Sequence, residues 1–150
     1  MSRFSLILAA LAVIATPGLA QDNTARNGVA ATTNIWAGVY TDAQAAQGQK
    51  FYKSACQDCH GEFLQGDPDQ GSPGLGTPQF MVEWDGQTMA DLVRHIHTLP
   101  NDAFGDMDPL TAVQLAAYIL QHADVPSGKT PLSTDAKEQA KILFTQFKPQ

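Results

Sequence analysis

Apolar residues recur at helical spacing in three segments, at about residues 41–55, 88–99 and 108–122. Each segment starts at an N-cap residue, and the second ends where Pro100 prevents its continuation. No alternating strand pattern accompanies them, so we predict an all-α fold. The predicted buried stripes are Ala45, Gly48, Phe51, Tyr52 and Ala55 in the first helix, Met89, Leu92, Val93 and Ile96 in the second, and Leu115, Tyr118, Ile119 and His122 in the third.

Both ends of the chain differ from this helical core. Residues 1–20 combine Arg3, an apolar run and small residues before Gln21, which predicts a secretory signal peptide cleaved after Ala20. The run is short for a membrane span, so we expect no transmembrane segment after cleavage and a periplasmic location. Residues 21–35 are polar and small and predict a flexible leader.

A second amphipathic pattern follows the core. We place the main domain at residues 36–126 and a C-terminal extension at 127–150. The extension predicts a short amphipathic helix that packs on the main domain, with a partner protein as the alternative contact. Its stripe is Ala136, Ala140, Leu143, Phe144 and Phe147.

A long loop rich in glycine and proline separates the first two helices, at residues 61–80. A loop of this length inside a small domain usually wraps a ligand that completes the hydrophobic core.

Gly48, on the apolar face of the first helix, predicts a close crossing with another helix, since glycine otherwise costs about 1 kcal/mol of helix stability relative to alanine.

The sequence Cys56-Gln57-Asp58-Cys59-His60 is the CxxCH pattern of c-type haem attachment. Two thiols at this spacing can each add to a vinyl group on one porphyrin edge, and the histidine then binds the iron. A thioredoxin-like pair would need a βαβ context, a zinc site would need further ligands, and a structural disulfide is the remaining alternative. The signal peptide, helical pattern and long loop favour haem.

The chain at this point resembles the class I mono-haem c-type cytochromes over about residues 36–126. Besides CxxCH, the resemblance rests on the first helix, on Pro73-Gly74-Leu75, on the turn at 83–86 and on the AAYIL sequence of the last helix. It implies a small cytochrome c fold, with three to five helices around one covalently bound haem. It also implies that Gly48 and Phe51 pack against Ala117 and Tyr118.

The resemblance assigns roles to five residues. Cys56 and Cys59 would anchor the porphyrin, and His60 would bind the iron. The Pro73 carbonyl would accept the proton of His60 Nδ1, which fixes the imidazole tautomer. Leu75 would pack on the haem face.

The sixth iron ligand is where the sequence departs from this family. These cytochromes usually carry Met-Pro before the last helix, but Leu99-Pro100 stands here, and leucine cannot bind iron. Met107 is our leading candidate for the ligand, followed by His97 or His95, and then by no protein ligand. Met81 and Met89 are expected to fill the core.

The composition and net charge of the chain exclude some classes of function. The 150 residues are 43% hydrophobic and carry a net charge of −6, which fits one small domain and argues against nucleic-acid binding. Two cysteines are too few for a disulfide scaffold. We therefore expect a one-electron carrier and not an enzyme, either monomeric or a subunit of a dehydrogenase or oxidase complex, whose redox partner has a basic docking surface. The alternative is a gas-binding haem sensor with an open sixth position; peroxidase-like activity using His95 or His97 is a weaker one.

Overall fold

The chain, described here from a computed structural model over residues 30–99 and 107–150, is built mainly from helices. The predicted signal peptide and residues 21–29 of the predicted leader lie outside the described residues. The elements are β1 (Thr33–Asn34), α1 (Asp42–Ala55), α2 (Gln57–His60), α3 (Pro78–Trp84), α4 (Met89–His97), α5 (Pro109–His122), α6 (Ala136–Gln139) and β2 (Ile142–Leu143), with single 3-10 turns at Ile35–Ala37 and Pro68–Gln70.

The three predicted helices are confirmed, and their caps explain where they begin. The Thr41 hydroxyl accepts the Gln44 N–H at 3.3 Å, and the Gln44 side chain accepts the Thr41 N–H at 3.2 Å. Thr88 and Asp91 form the same reciprocal pair at the start of α4. Each pair satisfies two backbone donors that the helix itself leaves unbonded. The all-α expectation is confirmed, since the only strands among the described residues are two residues long.

The closest helix crossing is between α1 and α5, at Gly48. A Cβ atom at Gly48 would overlap the backbone carbonyl of Gln114, so only glycine permits this approach. One turn further along, the Tyr52 and Tyr118 rings pack with their centroids 5.4 Å apart. The predicted crossing at Gly48 is confirmed, but the nearest backbone is that of Gln114 and Leu115, one turn before the expected Ala117.

In the three predicted helices, one residue of the predicted stripes is exposed. All four predicted residues of α4 are buried, as are Leu115, Tyr118 and Ile119 of α5. In α1, Phe51 and Ala55 are half-buried at the end of the stripe. The prediction that His122 is buried is wrong, because the last turn of α5 extends past the core and leaves this side chain exposed.

Helix α3 was not predicted from the sequence, where residues 61–80 were read as one loop. Thr77 caps it by accepting the Phe80 N–H at 3.3 Å, and Pro78 occupies its first turn, where the missing N–H is harmless. Phe80 and Met81 are buried. The irregular loop is therefore residues 61–77.

The C-terminal extension is mainly irregular, with only the short helix α6 and the two-residue strand β2, so the predicted amphipathic helix is wrong beyond Gln139. There the backbone bonds to distant segments: the Phe144 N–H donates to the Gln87 carbonyl at 2.7 Å, and the Gly86 N–H donates to the Phe144 carbonyl at 3.0 Å. These bonds replace helical ones, which are marginal in so short a segment. Ala140 and Phe144 are still buried, whereas Phe147 is 74% exposed.

The N-terminal strand β1 pairs in parallel with β2, with Thr33 opposite Ile142 and Asn34 opposite Leu143. The Trp36 indole N–H also donates to the Thr145 carbonyl at 3.0 Å. Residues 33 and 34 were predicted to belong to the flexible leader, and the pairing corrects that expectation. Within the described ranges, no helix is long and apolar enough to cross a bilayer.

Substitutions at two phenylalanines can distinguish the predicted C-terminal helix from the observed C-terminal packing. Phe144→Ala should destabilise the protein by about 3–5 kcal/mol because it empties a fully buried site. Phe147→Ala should change stability by less than about 0.5 kcal/mol because that ring is exposed. Urea unfolding measures both values, and similar losses in the two variants would contradict the observed arrangement.

Candidate functional site

The CxxCH motif occupies one tight turn where α1 passes into α2. The His60 N–H donates to the Cys56 carbonyl at 2.9 Å, and the Cys59 N–H donates to the same carbonyl at 3.3 Å. Cys56 and His60 are half-buried and Cys59 is exposed. The structure thus brings the three predicted residues together on a rigid turn, at the end of the helix that Gly48 holds against α5.

The His60 imidazole is held by a single hydrogen bond. Its Nδ1 lies 2.9 Å from the Pro73 carbonyl oxygen. A carbonyl can only accept, so Nδ1 carries the proton and the Nε2 lone pair is left free for a metal. The hydrogen bond that the resemblance implied is therefore present.

The irregular loop at 61–77 is ordered by its own backbone. The Gly66 N–H donates to the His60 carbonyl and the Leu75 N–H donates to the Leu64 carbonyl, both at 2.8 Å. Gly66 has φ +78°, and a Cβ there would collide with the backbone of residues 72–74. Leu64 is itself fully buried. These contacts fix Pro73 opposite His60 and aim Leu75 at the same space.

That space is a largely apolar cavity of about 470 Å³. Of the predicted site residues, Cys56, His60, Pro73 and Leu75 line this cavity. Cys59, which is exposed, and Met107, which is buried, do not line it. The walls also include Tyr52 from α1, Phe80 and Trp84 from α3, Leu92, His95 and Ile96 from α4, Leu99 just after α4, and Leu115 and Ile119 from α5.

The candidate sixth ligands are dispersed. Met107 is only 8% exposed and packs in the hydrophobic core, away from the cavity wall. His97 lines a different cavity, where its Nδ1 is buried with no hydrogen-bond partner in the described part of the chain. His95 does line the site, and so does Leu99. The assignment of the ligand to Met107 stays a prediction, and this packing does not favour it.

Tyr52 is a site residue whose role the sequence did not reveal. The stripe predicted its burial, but its hydroxyl also donates to the Gly61 carbonyl, directly after the motif. Burial raises the pKa of Tyr52 to about 12, with Cys56 and Tyr118 adding to the shift. Phe80 and Trp84 were also missed, and their only signal was an aromatic residue at the end of the predicted loop and a second one shortly after it.

The cysteines do not resemble a redox dithiol. Burial raises the pKa of the Cys56 thiol to about 11, and the neighbouring Cys59 adds to the shift. A thioredoxin-like pair depends on a lowered thiol pKa at a helix N-terminus, which is the opposite condition. The two cysteines form no disulfide in the structure. They are therefore available for addition to a cofactor.

A haem fits these residues. The cavity is apolar, one imidazole nitrogen is oriented and unprotonated, and a half-buried thiol stands on the wall beside it. An all-α fold carrying CxxCH at such a cavity defines a c-type cytochrome.

The comparison with protein families agrees. The family model described as cytochrome C oxidase, cbb3-type, subunit III matches residues 43–119, just over half of the chain, and the chain belongs to this family. Neither the curated proteins nor the solved structures gave a match. A cytochrome domain of this kind transfers electrons and is not an enzyme in its own right.

The buried tyrosines predict a loss of stability at alkaline pH. The folded pKa of Tyr52 and of Tyr40 is about 12, against an ordinary value of 10.0, so the folded state keeps protons that the unfolded state releases between these values. The contribution of these tyrosines to stability should be constant below pH 10 and fall as pH rises towards 12, by about 1.4 kcal/mol per pH unit for each tyrosine.

Tyr52→Phe should remove one tyrosine's share of this slope and cost about 1 kcal/mol at neutral pH through the lost hydrogen bond to Gly61. Tyr40→Phe is the matched variant and should reduce the slope equally. Unfolding free energies measured across the alkaline range test this. An unchanged slope in Tyr52→Phe would show that its hydroxyl is not protected by burial.

Proposed function

We propose that the protein is an exported one-electron carrier with one covalently attached haem c. The observation that carries the proposal is the His60 imidazole, oriented by Pro73 at the wall of the apolar cavity beside Cys56. When bound, the haem supplies an iron that alternates between the ferric and ferrous states.

The chain's own residues hold such a group in three ways. The Cys56 and Cys59 thiols would each add S–H across a vinyl double bond, which forms a thioether without net oxidation. The hydrogen bond from Nδ1 to Pro73 fixes the tautomer and keeps Nε2 available. Leu75, Leu115 and Ile119 give the cavity an apolar wall.

Residues 1–20 support a periplasmic location, since their charge, apolar run and small residues are typical of a cleaved signal peptide. We propose residues 36–126 as the haem domain, a span that contains the matched residues 43–119. The family description favours an oxidase complex as the redox partner, with the protein acting as a free carrier or as a subunit.

The charge distribution supports a basic partner surface. No lysine or arginine occurs between Lys53 and Arg94, whereas seven carboxylates do: Asp58, Glu62, Asp67, Asp69, Glu83, Asp85 and Asp91. The acidic charge is thus concentrated on the segment that builds the cavity. Such a field attracts cationic partners and speeds their association at low salt.

The turn that carries the motif is also the most accessible part of the site. Cys59 is exposed, and Phe63, three residues after His60, is 69% exposed. A porphyrin edge attached at Cys59 would therefore lie near the surface. Exposed aromatic residues are enriched in protein interfaces, so we place electron entry at this edge, beside Glu62.

Haem attachment tests the proposed function. After production with haem-attachment machinery, the haem should resist acidic acetone and titrate as a one-electron couple, with about 59 mV per decade. Cys59→Ala should retain haem through Cys56 and shift the reduced α-band to longer wavelength, because one vinyl group stays conjugated. Asp58→Ala, inside the same motif, should leave the spectrum unchanged. Extractable haem in the unmodified protein would overturn the proposal.

Charge reversal tests the proposed docking edge. Glu62→Lys should slow reduction by the cationic donor hexaammineruthenium(II) at low ionic strength, and the effect should vanish near 1 M salt, where screening acts within about 3 Å. Glu138→Lys on α6 makes the same change in net charge at an exposed residue outside the cavity and is the matched control. Equal slowing in both variants, measured by stopped flow, would place electron entry elsewhere.

A further inference from the structure

We propose that no thioether or imidazole of the described residues serves as a second ligand to the haem iron, and that Leu99 leaves there a small apolar site for a neutral diatomic molecule. The inference rests on the haem of the proposed function and adds a binding activity to it. It follows from where the structure places every thioether and imidazole of the described residues.

Methionine is the first type of ligand to consider. The described methionines, Met81, Met89 and Met107, are each less than a tenth exposed and belong to the hydrophobic core, and none of them lines the cavity. Residues 100–106, outside the described part of the chain, contain no methionine, histidine, lysine or cysteine. No thioether of the described residues therefore faces the site.

Histidine is the second type. Besides His60, only His95 among the described histidines lines this cavity, because His97 lines the other one and His122 is exposed at the end of α5. The His95 side chain is itself exposed and packs edge-on against Trp84, with the ring centroids 5.5 Å apart. Leu92 and Ile96 on the same helix also line the cavity but are buried, so we place the exposed His95 at the edge of the site.

The inner part of that face is apolar. Leu92, Ile96 and Leu99 follow one another at helical spacing, and all three line the cavity. Leu92 and Ile96 are buried, and Leu99 is half-buried at the position where the cytochromes that this chain resembles usually have methionine. A branched hydrocarbon at this position would occupy part of the cavity without binding the iron.

The chemistry of this wall selects the ligand. An anion would lose its hydration against leucine and isoleucine side chains with no cation beside it, which is costly. The acidic charge of residues 54–93 opposes anions further. A neutral diatomic molecule such as carbon monoxide has no charge to desolvate and is not repelled by the carboxylates, so the site fits this class of ligand.

Carbon monoxide added to the reduced holoprotein is the direct probe. We expect complete binding without a slow phase at neutral pH, and a high-spin ferric signal in the electron paramagnetic resonance spectrum of the oxidised protein. Leu99→Met should supply the missing ligand. It should lower the apparent affinity for carbon monoxide by about 100-fold if the open form falls to about 1%. It should also introduce a methionine–iron charge-transfer band.

Met107→Leu is the matched control, since it removes the core methionine with little change in volume and should leave both spectra and carbon monoxide binding unchanged. Slow or incomplete binding by the unmodified protein would overturn the inference. Fast binding that appears only in Met107→Leu, or only in His95→Gln, would then identify that residue as the ligand. If the chain attaches no haem, both the proposed function and this inference are contradicted. If it attaches a six-coordinate haem, only this inference is contradicted.

Discussion

The crossing of α1 and α5 at Gly48 is the contact on which the site depends. The absence of a side chain at Gly48 brings α1 against the backbone at Gln114, and the Tyr52–Tyr118 pair continues the contact one turn further. Because α1 ends where the CxxCH turn begins, this crossing sets Cys56 and His60 against the cavity that α5 lines. Tyr52 adds a second link through its hydrogen bond to Gly61, so the turn is held at both ends.

The cavity then explains the loop. This cavity is partly open to solvent, has a volume of about 470 Å³ and is lined mainly by apolar side chains, so it presents hydrocarbon surface that a ligand can bury. The loop at 61–77 surrounds this space and presents Pro73 and Leu75 to it, while contributing only Leu64 to the core. A covalently attached haem would occupy this cavity, and the same apolar walls would shield its iron from water.

Features that depend on residues close together in sequence, such as helix caps and the CxxCH motif, were predicted correctly. The caps at Thr41, Thr88 and Asp108 located α1, α4 and α5, and the motif located three site residues. The C-terminal segment was mispredicted because its partners lie far away in sequence: Trp36 bonds to Thr145 across 109 positions. A helical stripe and an extended strand can bury the same Phe144, so periodicity could not decide between them. From the sequence alone, Met107, His95 and Leu99 all bear on the sixth iron ligand, and no pattern shows which of them lies at the haem site. The packing shows it, because Met107 lies in the hydrophobic core whereas His95 and Leu99 line the cavity.

The presence of one covalently attached haem in this cavity is the central claim. Intact-mass spectrometry of the denatured protein, produced with haem-attachment machinery, tests it most directly. The predicted mass is that of the processed chain plus one haem, retained after unfolding because the Cys56 and Cys59 thioethers do not depend on the fold. The mass of the unmodified chain, with both thiols free, would contradict the claim.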